Sequence, residues 1–337
     1  MVVNILIVGA GAIGAFYGSR LAQLHDVQVS VVCRSNYKAV TRNGFTIESP
    51  AFGSYSFTPY RTFPNTKGAI AAGISFDYLV VSTKALPDVS DDSEILEGLV
   101  HGNKTAIVLI QNGLGVEAPY AKRFPSALIL SAVTIASAAQ PYHGVIKHNR
   151  WTRISIGPYA PATTGKEVEQ LATQQNHRFV QMLRDGGIKD AEEYSHSKLQ
   201  IVRWHKIAIN AAMNPSAVLS GGTSNQQMTL DSELYMHLKG IMDEVLSTAS
   251  KVLGVSIPKD LAASEAILKS TMKNTSGSKP SMLLDWESGK KMELEVILGN
   301  PIRIAREHGW EMPRMQTLYA LLKKAQFNRE QRQQSKL

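Results

Sequence analysis

Apolar positions follow two regimes along the chain. In the first, short β-rich runs recur at Val2–Val8, Val27–Cys33, Tyr78–Ser82, Ala106–Ile110 and Ala127–Ala132. A nearly unbroken run such as the first is the pattern of a strand buried on both faces of a parallel sheet. It leads directly into Gly9-Ala10-Gly11-Ala12-Ile13-Gly14 and then a helix-compatible stretch, Ala15–Leu24. Strand, glycine turn, helix and strand within about 33 residues, followed by further strand-like runs, predict an α/β fold. The expected core is a Rossmann-type, doubly wound parallel sheet with helices on both faces.

The second regime begins near residue 190, where β-branched runs become scarce. Longer helical periodicities take over at Ser195–Ala212, Ser232–Leu253, Leu261–Met272, Lys291–His308 and Gln316–Lys324. Two domains are therefore expected: a nucleotide-binding domain over 1–190 and a mostly α-helical substrate and catalytic domain over 191–337. Tyr159–Gly165, with one proline and two threonines, is expected to be a surface loop of the first domain. Internal repeats are absent, and the only biased segment is the Gln/Arg-rich tail.

Composition narrows the class. The 337 residues are 44% hydrophobic and 19% charged, the balance of an ordinary globular protein. Cys33 is the only cysteine, so no disulfide forms within the chain and a reducing compartment fits. The net charge of +8 raises the question of nucleic acid, but Lys323, Lys324, Arg329, Arg332 and Lys336 against Glu330 supply half of it. That cluster reads as a solvated C-terminal tail, and the remaining excess suits a protein that handles small anions rather than nucleic acid. No apolar run reaches the ~20 residues of a membrane span, and the N-terminus lacks the features of a secretory signal. The expectation is a soluble, cytoplasmic protein. The nine histidines show no paired ligand spacing, so no metal site is expected.

The glycine turn carries the first chemistry. Gly9 permits the tight turn, Gly11 lets backbone approach a pyrophosphate, and Gly14 allows close packing of helix on sheet. The helix opening through Ala12 and Ile13 presents its positive end to the anion. At the end of the second strand, a carboxylate would bind the 2′-hydroxyl of NAD; Arg34 stands there instead, twenty residues past Gly14. A guanidinium suits the 2′-phosphate of NADPH. Lys84, just past the third run, reads either as a second cation for that phosphate or as a solvated loop lysine.

Further on, Lys206, Asn210 and Asn214 recur every four positions, so they stack along one face of an otherwise apolar helix, drifting about 40° per step. Buried polar groups of this kind are costly unless something polar faces them, which suggests one wall of a polar site. Other readings stand beside it: Asn214 ends the helix before Pro215, and Lys206 snorkels to solvent. Ser281, Asp285 and Glu293 form a second constellation, which reads equally as helix caps and an exposed helical carboxylate.

Taken as an ordered set, these residues resemble the ketopantoate reductase (2-dehydropantoate 2-reductase) family over nearly the whole chain, to about Lys324. The similarity includes Gly9-x-Gly11-x-x-Gly14 with Arg34, Thr83-Lys84-Ala85, Gln111-Asn112-Gly113-Leu114-Gly115, Thr134 and Gly144-Val145 with His148. It continues through Lys206-x3-Asn210-x3-Asn214-Pro215, Ser281-Met282-x2-Asp285-x7-Glu293 and Ala305–Gly309. The resemblance implies NADPH-dependent reduction of ketopantoate to pantoate on the way to pantothenate and coenzyme A. By the same resemblance Lys206 is the general acid, Glu293 orients that lysine and the substrate, and Ser281 holds the keto-acid carboxylate. Asn210 and Asn214 are implied to place substrate hydroxyls, Asn112 to lie near nicotinamide and carbonyl, and Arg34 and Lys84 to bind the 2′-phosphate. A homodimer is also a family expectation. The chain departs from the common pattern at Ser278 and Leu298, where asparagine is usual, and at Asn225, displaced by one residue.

Hydride delivery to a 2-keto carbon builds negative charge on the carbonyl oxygen, which a lysine ammonium in a water-poor cleft both stabilises and protonates. That cleft is expected between the domains, at the carboxyl ends of the strands. Two alternatives remain: a related reductase of another 2-keto acid, and a non-catalytic NADP(H)-binding sensor.

Overall fold

A computed structural model describes residues 2–161 and 164–335. Ala162 and Thr163 of the expected surface loop, and Lys336 and Leu337 of the expected tail, lie outside the described residues. The chain forms two compact units, the first made of Met1–Lys84, Asp91–Gln111 and Val116–Leu199. The second comprises Ala85–Ser90, Asn112–Gly115 and Gln200–Leu337.

The first unit is built on one sheet. Its strands are β1 (Val3–Val8), β2 (Val27–Val32), β3 (Phe45–Ser49), β4 (Gly53–Phe57), β5 (Thr62–Phe63), β6 (Tyr78–Val81), β7 (Ala106–Leu109), β8 (Leu128–Tyr142), β9 (Val145–Pro158) and β10 (Ala191–Glu193). They lie in the order β4-β3-β9-β8-β7-β6-β1-β2-β5, with β10 pairing β9. From β5 to β8 every pairing is parallel, which is the doubly wound arrangement expected from the alternating runs. Successive residues of β1 serve opposite faces: Ile5 and Ile7 pack with Phe16, Tyr17 and Phe179 on one side. Leu6 and Val8 pack with Phe63, Phe76, Leu96 and Tyr120 on the other. Burial on both faces is why the run carries no polar alternation.

Beyond β8 the sheet departs from the all-parallel expectation. The run at Ala127–Ala132 continues as β8 to Tyr142 and returns antiparallel as β9, with register shifts near Ser137 and Ala139. A β3–β4 hairpin adds a further antiparallel pair, and β3 alternates buried and exposed positions as a strand with one wet face does. Phe16, on the Ala12–Leu21 helix, stacks on His148 of β9 with ring centroids 4.4 Å apart. The imidazole also bonds Ser49 Oγ (2.8 Å) and the Trp151 carbonyl (2.7 Å). His148 is thus a core residue of this unit.

The second unit is helical, around a core that includes Trp204, Ile207, Leu238, Met242, Leu268, Met282, Ile297, Met315 and Leu322. The Ser232–Leu253 helix is capped by Asp231, which accepts from Leu234 N at 2.9 Å, and stops at Gly254 in the left-handed region (φ 66°). Three sequence expectations change here. The helix containing Lys206 runs through Pro215 to Leu219, so Asn214 does not terminate it. The expected Lys291–His308 helix starts at Leu294 and opens with a π turn, Glu295–Gly299, before Asn300–Glu307. The tail is helical as far as it is described: Pro313–Gln334 is one helix, on which Lys323, Lys324 and Arg332 are exposed as expected but Arg329 is packed. Its Arg329 donates to the carbonyls of Trp286 (2.9 Å) and Lys290 (2.6 Å) and lies 4.2 Å over the Trp286 ring. Arginine stems and planes pack as well as repel, which net-charge counting overlooks.

Proline explains the π turn. Pro301 has no N–H, so an α-helix would leave the Ile297 carbonyl unbonded and in collision with the ring. Widening the turn sends Asn300 N to the Glu295 carbonyl and frees the Val296 carbonyl, which accepts from Leu114 N at 2.9 Å. The inserted Asn112–Gly115 segment is held in the helical unit by that bond. Among the described residues no helix is long and apolar enough to cross a membrane, and no cluster of three or more potential ligands could hold a metal ion.

Candidate active site

Within the first unit the glycine turn has the shape its residues require. Gly9 has φ +97°, and a Cβ there would lie 2.8 Å from Thr83 N. At Gly14 a Cβ would run into Ser82 Oγ and lie 2.6 Å from the Gly9 carbonyl. Ser82 Oγ donates to that carbonyl at 2.7 Å and so fixes the turn. Gly11 differs: nothing lies within 4 Å of a Cβ built on it, which leaves the backbone open to a ligand. No side chain caps the Ala12–Leu21 helix, and its first turn holds no acidic residue to oppose an anion. Ala12 and Ile13 are half-buried there. Beyond β2, Arg34 is exposed, while Asn36 turns inward and donates to the Ala10 carbonyl at 2.9 Å, tying the two loops together. Lys84 is half-buried at the end of a segment of this unit. An open glycine backbone at a bare helix N-terminus, with an arginine past β2, fits the phosphates of a dinucleotide.

The second constellation lies wholly in the helical unit. Lys206 projects from the His196–Leu219 helix, and its ammonium donates to Asn112 Oδ1 at 2.9 Å. The Asn112 amide in turn donates to Glu293 Oε2 at 3.3 Å. Ala85 N, from the other inserted segment, donates to Glu293 Oε1 at 3.1 Å. Residues 94 and 181 positions apart in sequence are thereby joined into one chain of hydrogen bonds. Glu293 is only 6% exposed and precedes the helix, so the exposed helical carboxylate foreseen as one reading is not what forms.

Burial pushes the Lys206 ammonium down to about 8; the charge of Arg203 pushes the same way, and the Glu293 carboxylate opposes both. Desolvation and a like charge outweigh the ion partner. The residue is half-buried, and its head is turned to Asn112 rather than left to solvent alone.

Asn210 is half-buried one turn further along. Asn214, another turn on, is 4% exposed, and its Nδ2 has no hydrogen-bond partner among the described residues. Buried amides are as a rule hydrogen-bonded, which makes this one a candidate binding group. Ser281 is the exposed first residue of the Ser281–Glu287 helix; Pro280 occupies the cap position, so Ser281 is not the cap expected of it. No hydrogen bond among the described residues joins Ser281 to the Lys206–Asn112–Glu293 chain. Of the departures, Ser278 and Asn225 meet: Asn225 Nδ2 donates to Ser278 Oγ at 3.2 Å, and Asn225 N to the Ser278 carbonyl at 3.1 Å. Leu298 is fully buried in the π turn.

Sequence reasoning missed three contributors. Ala85 acts through its backbone and carries no side-chain signal. Gly113, at φ +100°, lies where a Cβ would collide with the Val296 side chain. Arg203, 2% exposed, donates to the Gly113 carbonyl at 2.9 Å; its position one turn before Lys206 on an apolar helix was the available signal.

Comparison with known proteins supplies the context. Residues 5–161 match the family model described as "Ketopantoate reductase PanE/ApbA", and residues 198–326 match that of its C-terminal domain. An uncharacterized protein of Saccharomyces cerevisiae is 30% identical, over 95% of this chain and 92% of its own. A 2-dehydropantoate 2-reductase of Nostoc is 26% identical, over 94% and 93%. The crystal structure of 2-dehydropantoate 2-reductase from Methylococcus capsulatus superposes with a TM-score of 0.80 at 31% identity, covering 97% of this chain and 98% of that one.

Proposed function

The chain belongs to the ketopantoate reductase family, an NAD(P)-dependent family of oxidoreductases acting on CH–OH groups, and from that premise we propose that it reduces 2-dehydropantoate to pantoate with NADPH. The observation that carries the reading is the Lys206–Asn112–Glu293 chain with its depressed lysine. The pathway served would be that to pantothenate and coenzyme A.

In this reading the turn of Gly9, Gly11 and Gly14, with the N–H groups opening the helix at Ala12 and Ile13, holds the pyrophosphate. Arg34 and Lys84 take the 2′-phosphate, and the absence of a carboxylate at the end of β2 supports NADPH over NADH. When bound, the cofactor supplies a hydride to the 2-keto carbon. Lys206 answers the charge that builds on the carbonyl oxygen and transfers a proton from Nζ to it, then recovers one from solvent. An ammonium titrating near neutrality gives up its proton far more readily than an ordinary lysine, yet is still charged at pH 7. Asn112 accepts from the lysine through Oδ1 and donates to Glu293 through Nδ2, so the ammonium keeps one orientation through the cycle. The unpartnered amide of Asn214, with Asn210 one turn earlier, supports a site for substrate hydroxyls, and Ser281 is assigned to the carboxylate.

A second reading, reduction of another 2-keto acid, is favoured by one observation. The Ser278 hydroxyl is engaged by Asn225, and Leu298 is apolar and buried. Recognition there differs from the common family pattern. Oxidation of NADPH, followed at 340 nm with ketopantoate and a panel of 2-keto acids, tests both. Preference for ketopantoate supports the first; preference for another acid moves the substrate and keeps the mechanism. Bound NADPH without turnover of any acid refutes both and leaves a sensor.

A further inference from the structure

Arg203 has no part in the chemistry so far, yet it is among the most buried charged groups of the helical unit, at 2% exposure. It precedes Lys206 by three residues and therefore shares its helix face, about one turn away. A guanidinium taken out of water is costly unless good acceptors hold it. Here Nη1 donates to the Gly113 carbonyl at 2.9 Å.

That carbonyl belongs to the residue directly after Asn112. Gly113 has φ +100° and rests against Val296 so closely that no side chain fits between them. The next residue is held twice: Leu114 N donates to the Val296 carbonyl at 2.9 Å, and Asn300 Nδ2 donates to the Leu114 carbonyl at 2.7 Å. The Asn112–Leu114 turn is thus clamped by the π segment on one side and by Arg203 on the other. The side chain that leaves this turn is the one joining Lys206 to Glu293.

We propose that Arg203 is a positioning residue for Lys206, acting through its hydrogen bond to Gly113 and through its own charge one helical turn away. The bond fixes the peptide from which Asn112 extends, and so fixes the acceptor of the lysine proton. The charge opposes the Glu293 carboxylate; both act on Lys206, and Asn112 between them is neutral. Arg203 therefore governs both where the ammonium points and the pH above which it is lost. This rests on the reading of Lys206 as general acid.

The test separates the two actions. Arg203→Gln removes the charge; the alkaline limb of kcat/KM should move up by on the order of one pH unit, with binding of NADPH unchanged. Arg203→Lys keeps the charge but not the planar fork, so the limb should stay while kcat falls about tenfold or more. An unmoved limb in a folded Arg203→Gln protein overturns the electrostatic part. Full kcat in Arg203→Lys overturns the positioning part, and that variant decides the matter if Arg203→Gln fails to fold. Titration of Lys206 by 13C NMR of lysine-labelled protein, assigned with Lys206→Arg, gives the same answer without turnover. Failure of the reductase reading is thereby distinguishable: wild type would reduce no keto acid, while the Lys206 titration still moved, or failed to move, in Arg203→Gln.

Discussion

Raising the pH through the range where Lys206 loses its proton should switch off reduction far below the pH at which an ordinary lysine titrates. With the group at about 8, roughly 90% of the protein carries the charged lysine at pH 7 and roughly 10% at pH 9. If the ammonium is the acid, kcat/KM for reduction falls about tenfold between those values, because kcat/KM reports the free enzyme. The kcat limb should lie higher, since a bound carboxylate adds negative charge near the ammonium and holds its proton. Oxidation of the hydroxy acid needs the neutral amine as base, so its rate should rise over the same interval. Steady-state rates in both directions, from pH 6 to 10 in buffers of constant ionic strength, read this out. A flat kcat/KM from pH 7 to 9 would refute the assignment, since a lysine near 10.5 would change by only a few per cent. An unchanged limb in Lys206→Ala would refute it equally.

Three further outcomes follow from the same geometry. Asn112→Ala removes the link between Lys206 and Glu293 and should lower kcat about 100-fold while leaving NADPH affinity, read by fluorescence titration, within about threefold. Arg34→Asp should cut the NADPH to NADH preference in kcat/KM by about 10- to 100-fold, the worth of one or two charge-assisted bonds to a phosphate; an unchanged ratio removes Arg34 from cofactor choice. Gly14→Val places atoms where Ser82 Oγ and the Gly9 carbonyl already stand. It should destabilise the chain by about 1–3 kcal/mol, seen as a lower melting temperature, and abolish cofactor binding.

What could be read from sequence was local. β1, its glycine turn and the following helix occupy consecutive residues, and each obeys a rule of short range: a run buried on both faces, positive φ at Gly9, close packing at Gly14. The place of Arg34 just past β2 was legible because strand length fixes where β2 ends. The β3–β4 hairpin left a weaker trace, the alternation Phe45-Thr46-Ile47-Glu48-Ser49, which five residues make easy to overlook. Pro215 misled, since a proline ordinarily ends a helix and packing of the flanking turns carried this one through it; Pro301, inside the expected Lys291–His308 helix, is accommodated by a π turn that spacing does not show. The hydrogen-bonded chain from Lys206 to Glu293 was beyond spacing arguments, because its middle member comes from a segment inserted from the first half of the sequence. Resemblance implied that Glu293 orients Lys206 but not that Asn112 joins the two, and neither source pointed to Arg203.

Three features that are costly singly stand together at this site: an ammonium out of water, a turn in the left-handed region, and a π turn. Each removes part of the cost of another. The π turn exists because Pro301 cannot donate, and the Val296 carbonyl it frees is the acceptor that holds Leu114. With Leu114 held, Gly113 can sit against Val296 only as a glycine at φ +100°, and its carbonyl then faces Arg203. With the turn fixed, Asn112 offers Lys206 an acceptor that needs no reorganisation when the proton leaves. What remains uncompensated is the net penalty on the charged lysine, from desolvation and Arg203 less what Glu293 returns, which with the group at about 8 amounts to about 3 kcal/mol at neutral pH. The sign follows from the depressed value: between pH 8 and 10.5 the unfolded chain binds the extra proton, so this contribution to stability recovers as pH rises through that window. A chain selected for stability alone would place an apolar side chain at position 206. Keeping a lysine there, with Asn112, Glu293 and Arg203 from three separate stretches of sequence around it, fits the role proposed for it as the acid.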